Sequence, residues 1–164
     1  MSTPDTLITI SLPQQRLLLR IDDSIVMDVA VSTAARGAGE QSGSECTPRG
    51  LHYIRARIGS GCALNTVFRG RRPTGEIYDQ ELARRVPGRD WILTRILWLC
   101  GLEPGKNRLG NVDTMRRYIY IHGTPDDTPL GLPGSHGCIR MANADVIRLF
   151  DQVSVGTRVV ISEE

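Results

Sequence analysis

At 164 residues the chain has the length of one domain and is long enough to bury a core without disulfide staples. A hydrophobic fraction of 40% and a charged fraction of 23% are those of a globular protein. A formal net charge of only +2 makes no case for a nucleic-acid partner. No apolar stretch approaches the length of a bilayer span, so no membrane partner is expected either.

The opening "MSTPDTLITISLPQQRLLLR" lacks a basic segment followed by a long apolar run and a small-residue cleavage site. It does not read as a secretory signal, and the expected location is the cytoplasm. "TLITIS", "QRLLLRI" and "SIVMDVAVST" are short, rich in Ile, Val and Leu, and separated by turn-like Pro13-Gln14 and Asp22-Asp23. They predict an antiparallel meander. "AARGAGEQSGSECTPRG" abandons hydrophobic pattern and reads as a long surface loop. Alternation resumes in "LHYIRARI", a strand with His52, Ile54, Ala56 and Ile58 on its inward face.

From Thr66 to Pro87 the chain is polar and arginine-rich, with one helical turn expected in "DQELARRV". The arginines Arg69, Arg71, Arg72, Arg84 and Arg85 suit a solvated face first, and a docking surface for an anionic substrate second. "DWILTRILWLCGLEPG" suits a helix and a buried strand alike. "RRYIYIHG" is the clearest strand, ending at His122. "NADVIRLFDQV" is an amphipathic helix with Asn143 at its N-cap, and "TRVVI" closes the chain as a strand. The elements together predict one mostly β domain, residues 1–164, with one or two short helices.

The four cysteines, Cys46, Cys62, Cys100 and Cys138, form no CxxC pair, so a zinc ribbon or a thioredoxin motif is unsupported. Cys100, in "ILWLCGL", reads as a small buried hydrophobe. Cys138 is different. The stretch "YIYIHGTPDDTPLGLPGSHGCIRM", from Tyr118 to Met141, gathers two of the three histidines around it. A thiolate is a nucleophile for acyl transfer, and a neighbouring imidazole lowers the thiol pKa and later returns a proton to the leaving amine. His122 would be the base held by a strand. Gly137 lets the backbone approach a substrate, and the N–H groups of Gly137 and Cys138, with that of His136, would form an oxyanion hole.

"HGTPDD…GSHGCIRM" resembles the signature of the L,D-transpeptidase catalytic domain of the YkuD type. "VSTAARG…CTPRGLHYI", with Thr47, Pro48 and Gly50, and "NADVIRLFDQVSVGTRVVI" extend the likeness over nearly the whole chain. The resemblance implies a β-sandwich or mixed sheet and no cofactor. It implies Cys138 as nucleophile, His122 as general base and acid, and the Gly123 carbonyl as the group orienting His122. His136 would help shape the site, while Ser135 and Arg140 would brace the loop or touch substrate carboxylates. The implied substrate is a peptidoglycan tetrapeptide or muropeptide, cleaved between diaminopimelate and D-alanine, with carbapenems as inhibitors. Water as acceptor gives an L,D-carboxypeptidase of wall recycling, the reading suited to a cytoplasmic chain; an amine gives 3→3 cross-links. Two other classes stay open: a zinc hydrolase built on His122, His136 and Cys138, and a non-catalytic binder of wall fragments.

Overall fold

The computed structural model describes residues 4–164, so residues 1–3 of the expected single domain lie outside the described residues. Three strands, β1 (Thr6–Ser11), β2 (Arg16–Ile21) and β3 (Ser24–Ser32), form the meander expected from the sequence. They are followed by β4 (Gly50–Ile58), a hairpin of β5 (Thr66–Arg69) and β6 (Arg72–Ile77), helix α1 (Gln80–Arg85) and the long strand β7 (Ile92–Gly101). Then come β8 (Tyr120–Thr124), β9 (Ile139–Ala142), helix α2 (Asn143–Gln152) and β10 (Arg158–Ser162).

All ten strands belong to one mixed sheet, in the order β4-β10-β1-β2-β3-β9-β8-β7-β5-β6. It closes on itself because β7 also pairs with β4, so eight strands form a ring and the β5–β6 hairpin hangs outside. Two pairings are parallel, β1 with β10 and β8 with β9; the others are antiparallel. The ring encloses one core, with Ile8, Leu19, Val31, Leu97 and Ile121 fully buried, and α2 packs Val146, Leu149 and Phe150 into it. Each such side chain contributes roughly 1.5–3 kcal/mol of burial free energy. No helix among the described residues is long and apolar enough to cross a membrane.

The structure resolves the ambiguous "DWILTRILWLCG" as a strand whose outer edge is shared: Ile92 and Leu93 pair with β5, Ile96 to Gly101 with β4. The change of partner falls at Thr94, whose φ of 76° is unusual for a β-branched residue. Four expectations need correction. The arginine-rich segment holds a β-hairpin before its helical turn, because Val67 and Phe68 are buried where β5 pairs with β7 while β6 stays exposed. A bulge between Ile54 and Ala56 reverses the inward face of β4, so Arg57, not Ala56 or Ile58, reaches the Phe150 ring at 4.0 Å. β8 begins only at Tyr120 and runs past His122. Ala142, not Asn143, occupies the N-cap, because the Asn143 side chain is engaged elsewhere.

Candidate active site

From Ile119, just before β8, the side chains alternate: Ile119 and Ile121 enter the core, while Tyr120 and His122 lie on the other face. β9 runs parallel beside it with His122 opposite Arg140, which brings Cys138, just before β9, alongside Tyr120. The Tyr120 N–H donates to Cys138 Sγ at 3.4 Å, and Sγ is 3.4 Å from the Tyr118 carbonyl. Sulfur and imidazole therefore share one face, and both line a cavity of about 530 Å³ with Arg71, Tyr120, His136 and Arg140.

His122 is 1% exposed, and its Nδ1 lies 2.6 Å from the Gly123 carbonyl. A carbonyl only accepts, so Nδ1 carries the proton and Nε2 keeps a lone pair. The chain around Gly123 is closely packed. A Cβ on Gly123 would collide with Asn143 Oδ1 and the Leu93 carbonyl, so only glycine fits. Asn143 Oδ1 accepts from Thr94 Oγ1 at 2.7 Å, and its Nδ2 donates to the Thr124 carbonyl and Asn65 Oδ1, each at 3.0 Å. The left-handed Thr94 and the misplaced cap residue thus belong to one buried network behind the imidazole.

The loop before Cys138 is braced from two sides. Buried Ser135 donates through Oγ to the Cys138 carbonyl at 2.6 Å and accepts the Gly137 N–H at 3.1 Å. Gly137 has φ 130°, and a Cβ there would press on the Cys46 carbonyl and Ile119. Thr47 donates to the Gly137 carbonyl at 2.9 Å and accepts the Ala34 N–H at 3.0 Å, so the upstream "CTPRG" stretch buttresses the loop. Engagement with Ser135 takes the Gly137 N–H away from the expected oxyanion hole.

The electrostatics also depart from expectation. Loss of water pushes the Cys138 thiol up to about 12 and holds the His122 imidazole below its ordinary value, the hydrogen bond to Gly123 opposing the shift. The half-buried sulfur lines the cavity and pairs with backbone groups of Tyr118 and Tyr120. Burial thus favours the neutral thiol and the neutral imidazole over a thiolate lowered by its neighbour.

Residues 5–161 match the model of the YkuD family, the L,D-transpeptidase catalytic domain. The chain belongs to this family. The probable L,D-transpeptidase YbiS of Escherichia coli (strain K12) is 48% identical over 48 residues, 29% of this chain and 16% of that protein. The putative L,D-transpeptidase YqjB of Bacillus subtilis (strain 168) is also 48% identical over 48 residues, 29% of this chain and 27% of that protein. Among solved structures, L,D-transpeptidase 3 from Mycobacterium tuberculosis with a faropenem-derived adduct superposes with a TM-score of 0.60 at 18% identity. It covers 98% of this chain, which spans 61% of that one. At that identity the likeness is one of fold.

In this YkuD-family domain the expected residues Cys138, His122, Gly123, Ser135, Gly137, His136 and Arg140 come together, but two of them lean on a residue the sequence reading did not single out. Asp90, in the loop before β7, is 3.0 Å from the Arg140 guanidinium and 3.8 Å from His136 Nδ1. It lines both the main cavity and a neighbouring one of about 280 Å³, so the Asp90–His136–Arg140 group is the wall between them. A lone acid among the arginines of "ARRVPGRDW" was the available signal. Of the clustered arginines, Arg71 reaches the cavity, while Arg72, Arg84 and Arg85 are exposed. Among the described residues no group of three or more His, Cys, Asp or Glu side chains is placed to hold a metal ion.

Proposed function

We propose that the domain is a cysteine acyl-transfer enzyme that cleaves the diaminopimelate–D-alanine bond of peptidoglycan tetrapeptide stems. The observation that carries this is the joint position of Cys138 and His122 on one cavity, with Nε2 of His122 free to accept a proton. Burial favours the neutral thiol and imidazole, so Cys138 gives its proton to Nε2 as Sγ attacks the diaminopimelate carbonyl. The N–H of Cys138, with the adjoining loop amides not bound to Ser135, faces the oxyanion. The C–N bond then breaks, the D-alanine nitrogen takes the proton from His122, and a thioester remains on Cys138. Water attacks the thioester and gives a proton to His122, which returns one to the departing sulfur.

With water as acceptor the enzyme is an L,D-carboxypeptidase, and we place it in wall recycling in the cytoplasm. Four unpaired thiols support a reducing compartment. The second reading, transfer to an amine of another stem or to a free D-amino acid, is favoured by the relatives' names as transpeptidases. Mass spectrometry of products from tetrapeptide alone, then with a D-amino acid added, separates the two. D-Alanine release with tripeptide as sole product in both supports hydrolysis; an exchanged or cross-linked product in the second replaces it with transfer, and no release at all removes both. The faropenem adduct on the mycobacterial structure supports acylation of Cys138 by β-lactams of the same class. Intact mass should show the adduct, and Cys138→Ala should abolish it.

A further inference from the structure

Arg71 stands apart from the cavity's other arginine. Arg140 is paired with Asp90, whereas no carboxylate among the described residues lies within 4.0 Å of Arg71. The Arg71 guanidinium is instead held by aromatic side chains. It lies 4.5 Å from the Trp98 ring centroid and 4.9 Å from that of Tyr118, and NH1 donates to Tyr120 Oη at 3.0 Å. Stacked in this way it is fixed in place with its charge uncompensated.

The backbone beneath it points the same way. Gly70 and Arg71 are the two central residues of the β5–β6 turn, with φ of 56° and 65°, and Arg69 pairs with Arg72 across it. Such a turn favours glycine or asparagine at its second position. Arginine strains the backbone there, at a turn that lies outside the closed ring. What it supplies is a side chain laid over β7 and β8 at the cavity wall. Tyr120 links it to the chemistry: its N–H meets the Cys138 sulfur, and its hydroxyl meets Arg71.

We infer that Arg71 is the carboxylate-binding residue of this cavity, holding a carboxylate of the stem peptide while Cys138 faces the scissile carbonyl. This deepens the proposed reaction and rests on it. The N–H groups of Arg71 not turned to Tyr120 present the planar edge that a carboxylate matches, and the Tyr120 O–H, having accepted from Arg71, is free to donate to the same group. A stem has two such carboxylates near the scissile bond, the D-alanine terminus and the D-centre of diaminopimelate.

The test compares parent and Arg71→Gln proteins on three tetrapeptides: unmodified, amidated at the D-alanine terminus, and amidated at the D-centre. On the unmodified peptide the variant should raise KM about 10- to 100-fold with kcat little changed, the worth of hydrogen bonds to a charged group. Amidating the carboxylate that Arg71 binds should impose the same loss on the parent protein and no further loss on the variant, which identifies it. An unchanged KM, or losses that simply add for both amides, overturns the inference. Arg71→Gly relieves the turn while removing the charge, so it should melt at or above the parent temperature yet bind as poorly as Arg71→Gln; a collapse in melting temperature would make the role structural and overturn it. Calorimetric binding of the three peptides to Cys138→Ala, with and without Arg71→Gln, needs no turnover. Parent protein inactive on every stem would sink the reaction, whereas equal binding with and without Arg71 would sink the carboxylate site.

Discussion

Strand and loop hold this domain's three histidines in different ways. His52 on β4 and His122 on β8 are 0% and 1% exposed, each with Nδ1 against a backbone carbonyl, at 3.0 Å for His52 and 2.6 Å for His122. His136, in the loop before Cys138, has a side chain 64% exposed and only Asp90 at 3.8 Å. A strand removes water and fixes the tautomer; a loop leaves the ring solvated and able to take either form. Of the two histidines near Cys138, the one with a fixed lone pair is the one suited to moving a proton.

The largest effect should come from breaking the strand histidine. His122→Gln should lower kcat on tetrapeptide by about 10²–10⁴-fold, the range for a lost general base, with thermal stability little altered. His136→Gln should cost no more than about fivefold, since an exposed ion pair is worth at most about 1 kcal/mol. Equal losses in the two variants would erase the distinction.

The next largest effect concerns stability and acid. Burial lowers His52 to about 4 from 6.5, so the unfolded chain takes up a proton in that window that the folded chain refuses. Stability should therefore fall as pH drops from about 6.5 to 4, by about 3 kcal/mol, with His122 adding to it in the same direction. Urea titrations across that range measure the slope, which His52→Asn should flatten. A parent protein with no slope below pH 6.5 would contradict the buried, neutral state of both strand histidines.

Smaller again is the response of the network that holds His122. Gly123→Ala forces a methyl group against Asn143 and the Leu93 carbonyl and should destabilise by about 1–3 kcal/mol while also lowering kcat. Asn143→Ala leaves Thr94 and the Thr124 carbonyl without their partner and should cost a similar amount, about 1–3 kcal/mol. Smallest should be Asp90→Asn, which removes the charge shared by His136 and Arg140 at a half-exposed site; no more than about 1 kcal/mol of stability is expected.

Much of this was legible in the residues. The meander, the last helix, the closing strand and the Cys138–His122 pair were all readable because period-two apolar runs and a rare motif are local signals. The hairpin at Thr66–Ile77 was not, because its buried half is only the three residues Thr66 to Phe68 and β6 is almost wholly exposed, too little for a pattern to show. The reversed face of β4 was hidden by a bulge that inserts one residue, and one residue is enough to turn every following side chain over. Asn143 followed the helix-cap pattern and was placed at the cap; its side chain serves Thr94 and Thr124 instead, neither of which is near it in sequence. Asp90 lay 46 residues from the histidine it faces.

By itself the sequence determined the mostly β domain and which side chains could do chemistry, because alternation and residue type act over a few neighbours. Tertiary structure decided the rest: the burial of Cys138 and His122, the partners that hold Gly123 and Gly137, and the presence of Asp90 and Arg71 at the cavity. The reason is physical. Burial and ion pairing depend on what the closed sheet brings against a group, and ring closure joins residues whose separation along the chain carries no record of the contact.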